Sequence, residues 1–440
     1  MKASAYFAEL VASQKAGVPR GTCSVCSAHP TVLEAALLQG VRDGMPVLIE
    51  STVNQVNQFG GYTGRTPALF QANVHRIAES IGFPSGRLIV GGDHIGPYPW
   101  RREQAQAAMA KARDLVRACV RAGYEKIHLD ASMPLGGDPA AAGGALDPRT
   151  AAAREAELAA AGEEAWKERG GDIGDGPVYV IGTEVPVPGG VVADGGGVAV
   201  TRPEALEETV DLCRDSFAKR GLEDAWTRVR AVVAQPGVEF GDESVHGYDR
   251  TAAAPLCAAA RGLPGIVLEG HSTDFQLEAS LRGLVEDGIA ILKVGPGLTF
   301  ALRECLFALE CIERELLEGR KGYRLSGLSA ALEEAMLAQP VHWQSYYRGG
   351  DPARQRTARR YSFSDRSRYY WNVPAVRAAC DLLMTNTASV TIPLTLLSQF
   401  LPVHYAAVRE GRLDPSPRDL VRESVCMILQ KYSRAARKDY

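Results

Sequence analysis

The 440-residue chain is 46% hydrophobic and 23% charged, enough apolar material for one large core and a smaller appendix. Its formal net charge of −3 argues against nucleic acid or an anionic membrane as the main partner, and no apolar run reaches the roughly 18 residues a membrane span needs. Nine cysteines, odd in number and irregularly spaced, point to reduced thiols and a cytoplasmic protein rather than a disulfide framework.

Met1–Leu10 carries an acid within its apolar stretch and reads as an opening helix rather than a leader peptide. From residue 21 to about 318 one rhythm repeats: a short apolar run, a polar or Gly-rich end, then a helical stretch. The apolar runs are Gly21–Cys26, Pro46–Ile49, Arg87–Val90, Lys126–Leu129, Val178–Ile181, Val229–Ala234, Gly265–Leu268 and Ile289–Val294. Helical periodicity fills the gaps, from Thr31–Arg42 to Phe275–Glu286, and the last run leads into Thr299–Leu317. Strands alternating with helices pair in parallel through right-handed crossovers, and eight such units close. The prediction is an α/β chain: a (β/α)8 TIM barrel over 1–318, with a helical C-terminal extension over 319–440. A doubly wound open sheet is the runner-up, but no G-x-G-x-x-G opens a helix after the first strand.

Two Gly-rich connections, Pro134–Pro148 and Pro186–Arg202, follow strands and suit lids over the barrel mouth. Cys23 and Cys26 form a CxxC, but on a strand they point to opposite faces and read as two structural thiols. In the extension, Trp343, Tyr346, Tyr347, Tyr361, Tyr369, Tyr370 and Trp371 lie beside Arg359, Arg360, Arg366 and Arg368. The patch could grip a phosphate or a partner subunit; the plainer expectation is that its aromatics dock the extension on the barrel and its arginines are solvated.

Barrel chemistry collects at the carboxyl ends of the strands. The eight runs end in His29; in Glu50, Asn54 and Gln55; in Asp93-His94; in His128 and Asp130; in Glu184; in Gln235 and Glu239; in Glu269, His271, Ser272 and Asp274; and in Lys293, Gly295 and Gly297. Five of the eight histidines, counting His246, fall at or near these ends, as a functional pocket would demand. His94 and His271, with a carboxylate such as Glu184, suit a divalent metal: zinc, manganese, cobalt or nickel. Such an ion polarises a carbonyl and serves aldol cleavage or sugar isomerisation, with Asp93, Asp130, Glu184 or Glu269 moving protons. His29, Glu50, Asn54, Gln55, His128, Gln235, Ser272, Asp274 and Lys293 are candidates to hold substrate. Lys293 could instead form a Schiff base with a ketose, although pairing with a carboxylate is the plainer reading. The free N–H groups of Gly295 and Gly297, opening a helix, offer a phosphate seat.

Several of these segments resemble one family: Cys23-Ser-Val-Cys-Ser-Ala-His-Pro30, Asn54-Gln-Val-Asn-Gln-Phe-Gly-Gly-Tyr-Thr-Gly64, Gly91-Gly-Asp-His94, Lys126-Ile-His-Leu-Asp-Ala-Ser132, Ile181-Gly-Thr-Glu-Val-Pro-Val-Pro-Gly-Gly190 and Ile291-Leu-Lys-Val-Gly-Pro296. They are similar to the Z-type subunits of class II D-tagatose-1,6-bisphosphate aldolase, and the likeness extends to Tyr361-Ser-Phe-Ser-Asp-Arg366 and Arg368-Tyr-Tyr-Trp371. The resemblance implies sugar catabolism, either as a non-catalytic companion of a separate aldolase subunit or as a metal-dependent ketohexose 4-epimerase or aldolase. The expected partners are a ketohexose or its phosphate, an aldolase catalytic subunit, and other copies of the chain. Some members have been labelled tagatose-6-phosphate kinase, but no G-x-x-x-x-G-K-[ST] is present. Likeness to class II aldolase barrels implies Asp93 as proton-transfer acid, His94 and His271 as metal ligands, and Glu184 as an auxiliary carboxylate. Gln235 stands where those barrels carry a third ligand histidine, which leaves Glu239 or Asp274 to rebuild the site.

Overall fold

The computed structural model describes residues 2–139, 146–172, 175–183, 198–347 and 351–437. Eight parallel strands close into a barrel: β1 (Thr22–Cys26), β2 (Val47–Thr52), β3 (Leu88–Ile95), β4 (Lys126–Leu129), β5 (Val178–Ile181), β6 (Val229–Ala234), β7 (Val267–Gly270) and β8 (Ile289–Val294). Neighbours in the chain are neighbours in the barrel, and β1 pairs with both β2 and β8. The (β/α)8 reading therefore holds, with boundaries shifted by a few residues. A two-stranded hairpin, Glu239–Phe240 with Val245–His246, follows β6 and has no periodicity long enough to announce it.

Strand alternation sorts the lumen into two layers. Leu48, Ile89, Val267 and Ile291 line its lower half and pack on Tyr6, Phe7, Leu10 and Val11 of the opening helix, Ala3–Lys15. That helix plugs the bottom of the barrel. Two residues further along the same strands, on the same face, come Glu50, Gly91, Glu269 and Lys293. The change from apolar to charged takes one step of the pleat.

The crossover helices are delimited locally: Pro30 opens Pro30–Asp43 and Gly44, at φ 66°, closes it. The last barrel helix is Pro296–Leu317. Beyond it the extension forms helices at Leu328–Ala338, Pro352–Tyr361, Pro374–Ala388, Leu394–Phe400, Pro402–Arg409 and Pro417–Ala436. Pro417–Ala436 lies across Pro30–Asp43, Glu278–Glu286 and Pro296–Leu317, where the first and last barrel units meet. Tyr432 donates its hydroxyl to Thr273 O at 2.7 Å, and Gly21 N–H bonds Ala436 O at 3.0 Å. Among the described residues, no helix is long and apolar enough to cross a membrane.

Candidate functional site

The upper lumen holds charges that burial would penalise severely if they were unpaired. Lys126 Nζ lies 2.8 Å from both Glu50 Oε1 and Glu269 Oε2. Lys293 Nζ reaches Glu50 at 3.0 Å and Glu269 at 3.2 Å, and also pairs with Asp93. Ser24 donates its hydroxyl to Glu50. Glu50, Glu269 and Lys126 have no solvent exposure. This network is the floor of the cavity above it.

On that floor stand three imidazoles from different strands, or the turns that follow them: His94, His128 and His271. Their ring centroids lie 4.9, 4.9 and 5.1 Å apart. Together with Asp93, each offers a ligand atom within 4.8 Å of the others; this is the one such group among the described residues. Each ring is anchored on a carboxylate: His94 Nδ1 on Asp130 at 2.7 Å, His128 Nδ1 on Asp93 at 3.0 Å, and His271 Nε2 on Glu269 at 3.0 Å. Such anchoring sets the tautomer and aims the other ring nitrogen. His128 Nδ1 also lies 3.1 Å from the His94 backbone N–H, but the charged Asp93 has the stronger claim on its proton. His128 Nε2, the free nitrogen of that ring, is buried without a hydrogen-bond partner.

Adjacent residues on a strand normally face opposite ways, yet Asp93 and His94 both line the cavity. The β3–β4 register shifts between Gly92 and Ile95, and His94 sits at φ 50°, a left-handed conformation that non-glycine residues rarely adopt. This bulge turns both side chains inward. Ser272, Phe275 and Asp365 also have positive φ, so backbone strain gathers around the mouth. Gly96 is required nearby, because a Cβ there would stand 1.7 Å from Asp130 O.

The electrostatics follow the geometry. Burial alone would raise the Asp93 carboxyl, but His94, Lys293 and the His128 hydrogen bond hold it well below the usual range. Burial lowers His94, but Asp93 and Asp130 more than reverse that, and its net shift is upward. Burial drives His271 down to about 3, so this ring is neutral at ordinary pH. Burial opposes the charge on Lys293, yet Asp93, Glu269 and Glu50 raise it well above the ordinary lysine value. A Schiff base needs the neutral amine, so the carboxylate-pairing reading of Lys293 prevails over the covalent one. Glu50, Asp93, Asp130 and Glu269 outnumber the two ammoniums, an excess that the upward-shifted His94 answers only in part. The unpartnered His128 nitrogen and this excess fit a bound cation.

The cavity opens to solvent and is lined by Cys26, Thr52, Asn54, Gln55, Tyr62, Asp93, His94, Phe240, His271, Ser272, Asp274, Lys293, Gly295, Arg368 and Tyr369. A family model described as D-tagatose-1,6-bisphosphate aldolase subunit GatZ/KbaZ-like matches residues 7–437. The chain belongs to this family. A solved structure described as a probable tagatose 6 phosphate kinase from Sinorhizobium meliloti 1021 is 46% identical and superposes with a TM-score of 0.85, covering 94% of this chain and 100% of that one. The YdjI aldolase from Escherichia coli K12 is 11% identical, with a TM-score of 0.41 and coverage of 86% and 95%. A fructose-bisphosphate aldolase from Campylobacter jejuni is 12% identical, with a TM-score of 0.44 and coverage of 87% and 92%. These last two likenesses are weak.

In this GatZ/KbaZ-like chain the expected site residues divide by position. Asn54, Gln55, Asp93, His94, His271, Ser272, Asp274, Lys293 and Gly295 line the cavity. Glu50, His128, Asp130 and Glu269 stand behind or beneath it, and Asp130 and Glu269 orient imidazoles. His29 lines an adjoining cleft, edge-on to Trp371 at 6.1 Å. Gln235 lies off the cavity; its Oε1 accepts the Gly237 N–H at 2.9 Å. Glu239 is buried beside Phe240 and Ser272. The Gly295 and Gly297 amides are already taken, both donating to Asp274 Oδ1, so they are not free to seat a phosphate. Glu184 lies outside the described residues, as do 140–145 and 184–197 of the two Gly-rich connections.

The third imidazole sought at Gln235 stands instead at His128 on β4. Tyr62, Arg368 and Tyr369 also line the cavity, known from the sequence only through a family segment and the aromatic, basic patch. The last two come from the aromatic, basic patch, most of which does dock: Trp343, Tyr347, Tyr370 and Trp371 are buried. Tyr369 stacks on His342 at 4.5 Å and meets Tyr62 at 4.7 Å, and so reaches the mouth. Cys23 and Cys26 line different cavities, in keeping with two separate thiols.

Proposed function

We propose that the chain binds a divalent cation (zinc, manganese, cobalt or nickel) on His94, His128 and His271, with Asp93 alongside, and performs aldol-type chemistry on a ketohexose or its phosphate. The observation that carries this reading is the trio of imidazoles, each tied to a carboxylate, with His94 and His271 lining a polar cavity and His128 beside them. A cation held there supplies Lewis-acid polarisation of the substrate carbonyl. Asp93, kept ionised by its neighbours, accepts the C4 hydroxyl proton as the C3–C4 bond breaks and returns it when the bond re-forms. Release of the two fragments is cleavage; re-addition to the other face of the aldehyde inverts C4. Lys293 balances the charge on Asp93 throughout, while Asn54, Gln55 and Ser272 offer hydrogen bonds to the sugar hydroxyls.

The test is an assay of the purified chain alone, supplemented in turn with each metal, on fructose, tagatose and their phosphates. Conversion by the chain alone is expected, abolished by chelator and restored by metal.

A second reading takes the family description at its word as a subunit: the chain stabilises a separate aldolase catalytic subunit. It predicts no conversion by the chain alone and a raised melting temperature for the partner on mixing.

A further inference from the structure

The turn Gly295-Pro296-Gly297 opens a 22-residue helix at the cavity rim. In barrels of this architecture, phosphate groups commonly bind where the loops after the last two strands meet a helix N-terminus. Free N–H groups and the positive end of the helix dipole attract the anion there. Here a side chain of the protein holds that position. Asp274, from the loop after β7, accepts the N–H of Gly295 at 2.9 Å and of Gly297 at 2.7 Å on the same oxygen. The residue is 3% exposed, and a Cβ on Gly297 would lie 3.0 Å from that oxygen, so the carboxylate is packed in its seat.

A phosphate approaching this turn would find its donors spent and would face a buried negative charge. The ammonium of the cavity is paired with carboxylates, while the guanidinium spends hydrogen bonds on the extension. Lys293 is shared among three carboxylates, and Arg368 binds the carbonyls of Ser364 and Asp365 and the hydroxyl of Tyr369. A sugar hydroxyl, by contrast, can donate to a carboxylate, and Asp274 lines the cavity beside Ser272.

Resting on the ketohexose reading above, we infer that the sugar end seated on this turn carries a hydroxyl and no phosphate, because Asp274 occupies the anion position. The chain therefore accepts a ketohexose that is unphosphorylated at that end and rejects a ketohexose 1,6-bisphosphate.

Titration calorimetry on the full chain at fixed metal loading tests this, using fructose, fructose 1,6-bisphosphate and inorganic phosphate as probes with wild type, Asp274→Ala and Asp274→Asn. Wild type is expected to bind fructose about tenfold or more tighter than the bisphosphate. Asp274→Ala frees both amides and should gain about tenfold in phosphate affinity over wild type, while Asp274→Asn, which keeps an acceptor on them, should not. Bisphosphate preferred by wild type overturns the inference, as does unchanged phosphate affinity in a folded Asp274→Ala. If circular dichroism shows that variant unfolded, the wild-type comparison decides. Failure of every ketohexose to bind sinks the ketohexose reading instead, and the phosphate arm still judges the Asp274 seat.

Discussion

The lower and upper halves of the barrel lumen are lined by the same strands, often by residues two positions apart, yet their physics differ. Below, Leu48, Ile89, Val267 and Ile291 close on Phe7 and Leu10 in a layer with no buried charge to satisfy. Above, Glu50, Lys126, Glu269 and Lys293 are buried as deeply but depend on one another for every charge. An apolar layer tolerates a lost methyl group by partial collapse, whereas a charged network left one partner short keeps an uncompensated ion. The lower layer holds the barrel shut. The upper one holds imidazoles at fixed angles.

Substitutions can break this contrast, and the largest effect is expected at the imidazoles. His94→Ala, His128→Ala or His271→Ala should each abolish stoichiometric metal binding, read by elemental analysis; retention of metal in all three would assign the trio to structure alone. Next, Asp93→Asn should cut ketohexose turnover about 10²–10⁴-fold in a folded protein, read by product chromatography. Lys126→Met, which leaves Glu50 and Glu269 to share Lys293 alone, should cost about 3–5 kcal/mol of stability in urea unfolding and disturb the site as well. Leu10→Ala in the lower layer should cost about 2–5 kcal/mol with metal stoichiometry unchanged. That pairing separates the two halves most directly.

The smallest expected effect is a pH slope. Burial raises the Glu239 carboxyl to about 7 against an unfolded value near 4.5, outweighing the Phe240 N–H and the Ser272 contact that favour its charged form. Between those values the folded chain holds a proton that the unfolded chain has lost, so this group makes stability fall as pH rises from 4.5 to 7. Glu239→Gln should flatten that segment of a stability-against-pH curve.

The strand-and-helix rhythm made the barrel legible, since eight apolar runs and the helices between them follow from periodicity alone. The convergence of His94, His128 and His271 was legible for the same reason: residues at strand ends meet at one mouth. What escaped were effects without a periodic signature. The bulge that turns Asp93 and His94 to one side depends on the local β3–β4 register. Asp274 caps amides 21 and 23 residues away, which made Gly295 and Gly297 look unclaimed. Arg368 and Tyr369 reach the cavity from the extension, through packing that spacing does not encode.

The helix Pro417–Ala436 bears on how the molecule is made. It fastens the seam between the first and last barrel units, and Ala436 O is the acceptor for Gly21 at the foot of β1. A ribosome delivers residue 21 long before residue 289, so the earliest strand waits for the whole barrel sequence before β8 can pair with its open edge. The last helix then covers a seam that strand pairing has already closed.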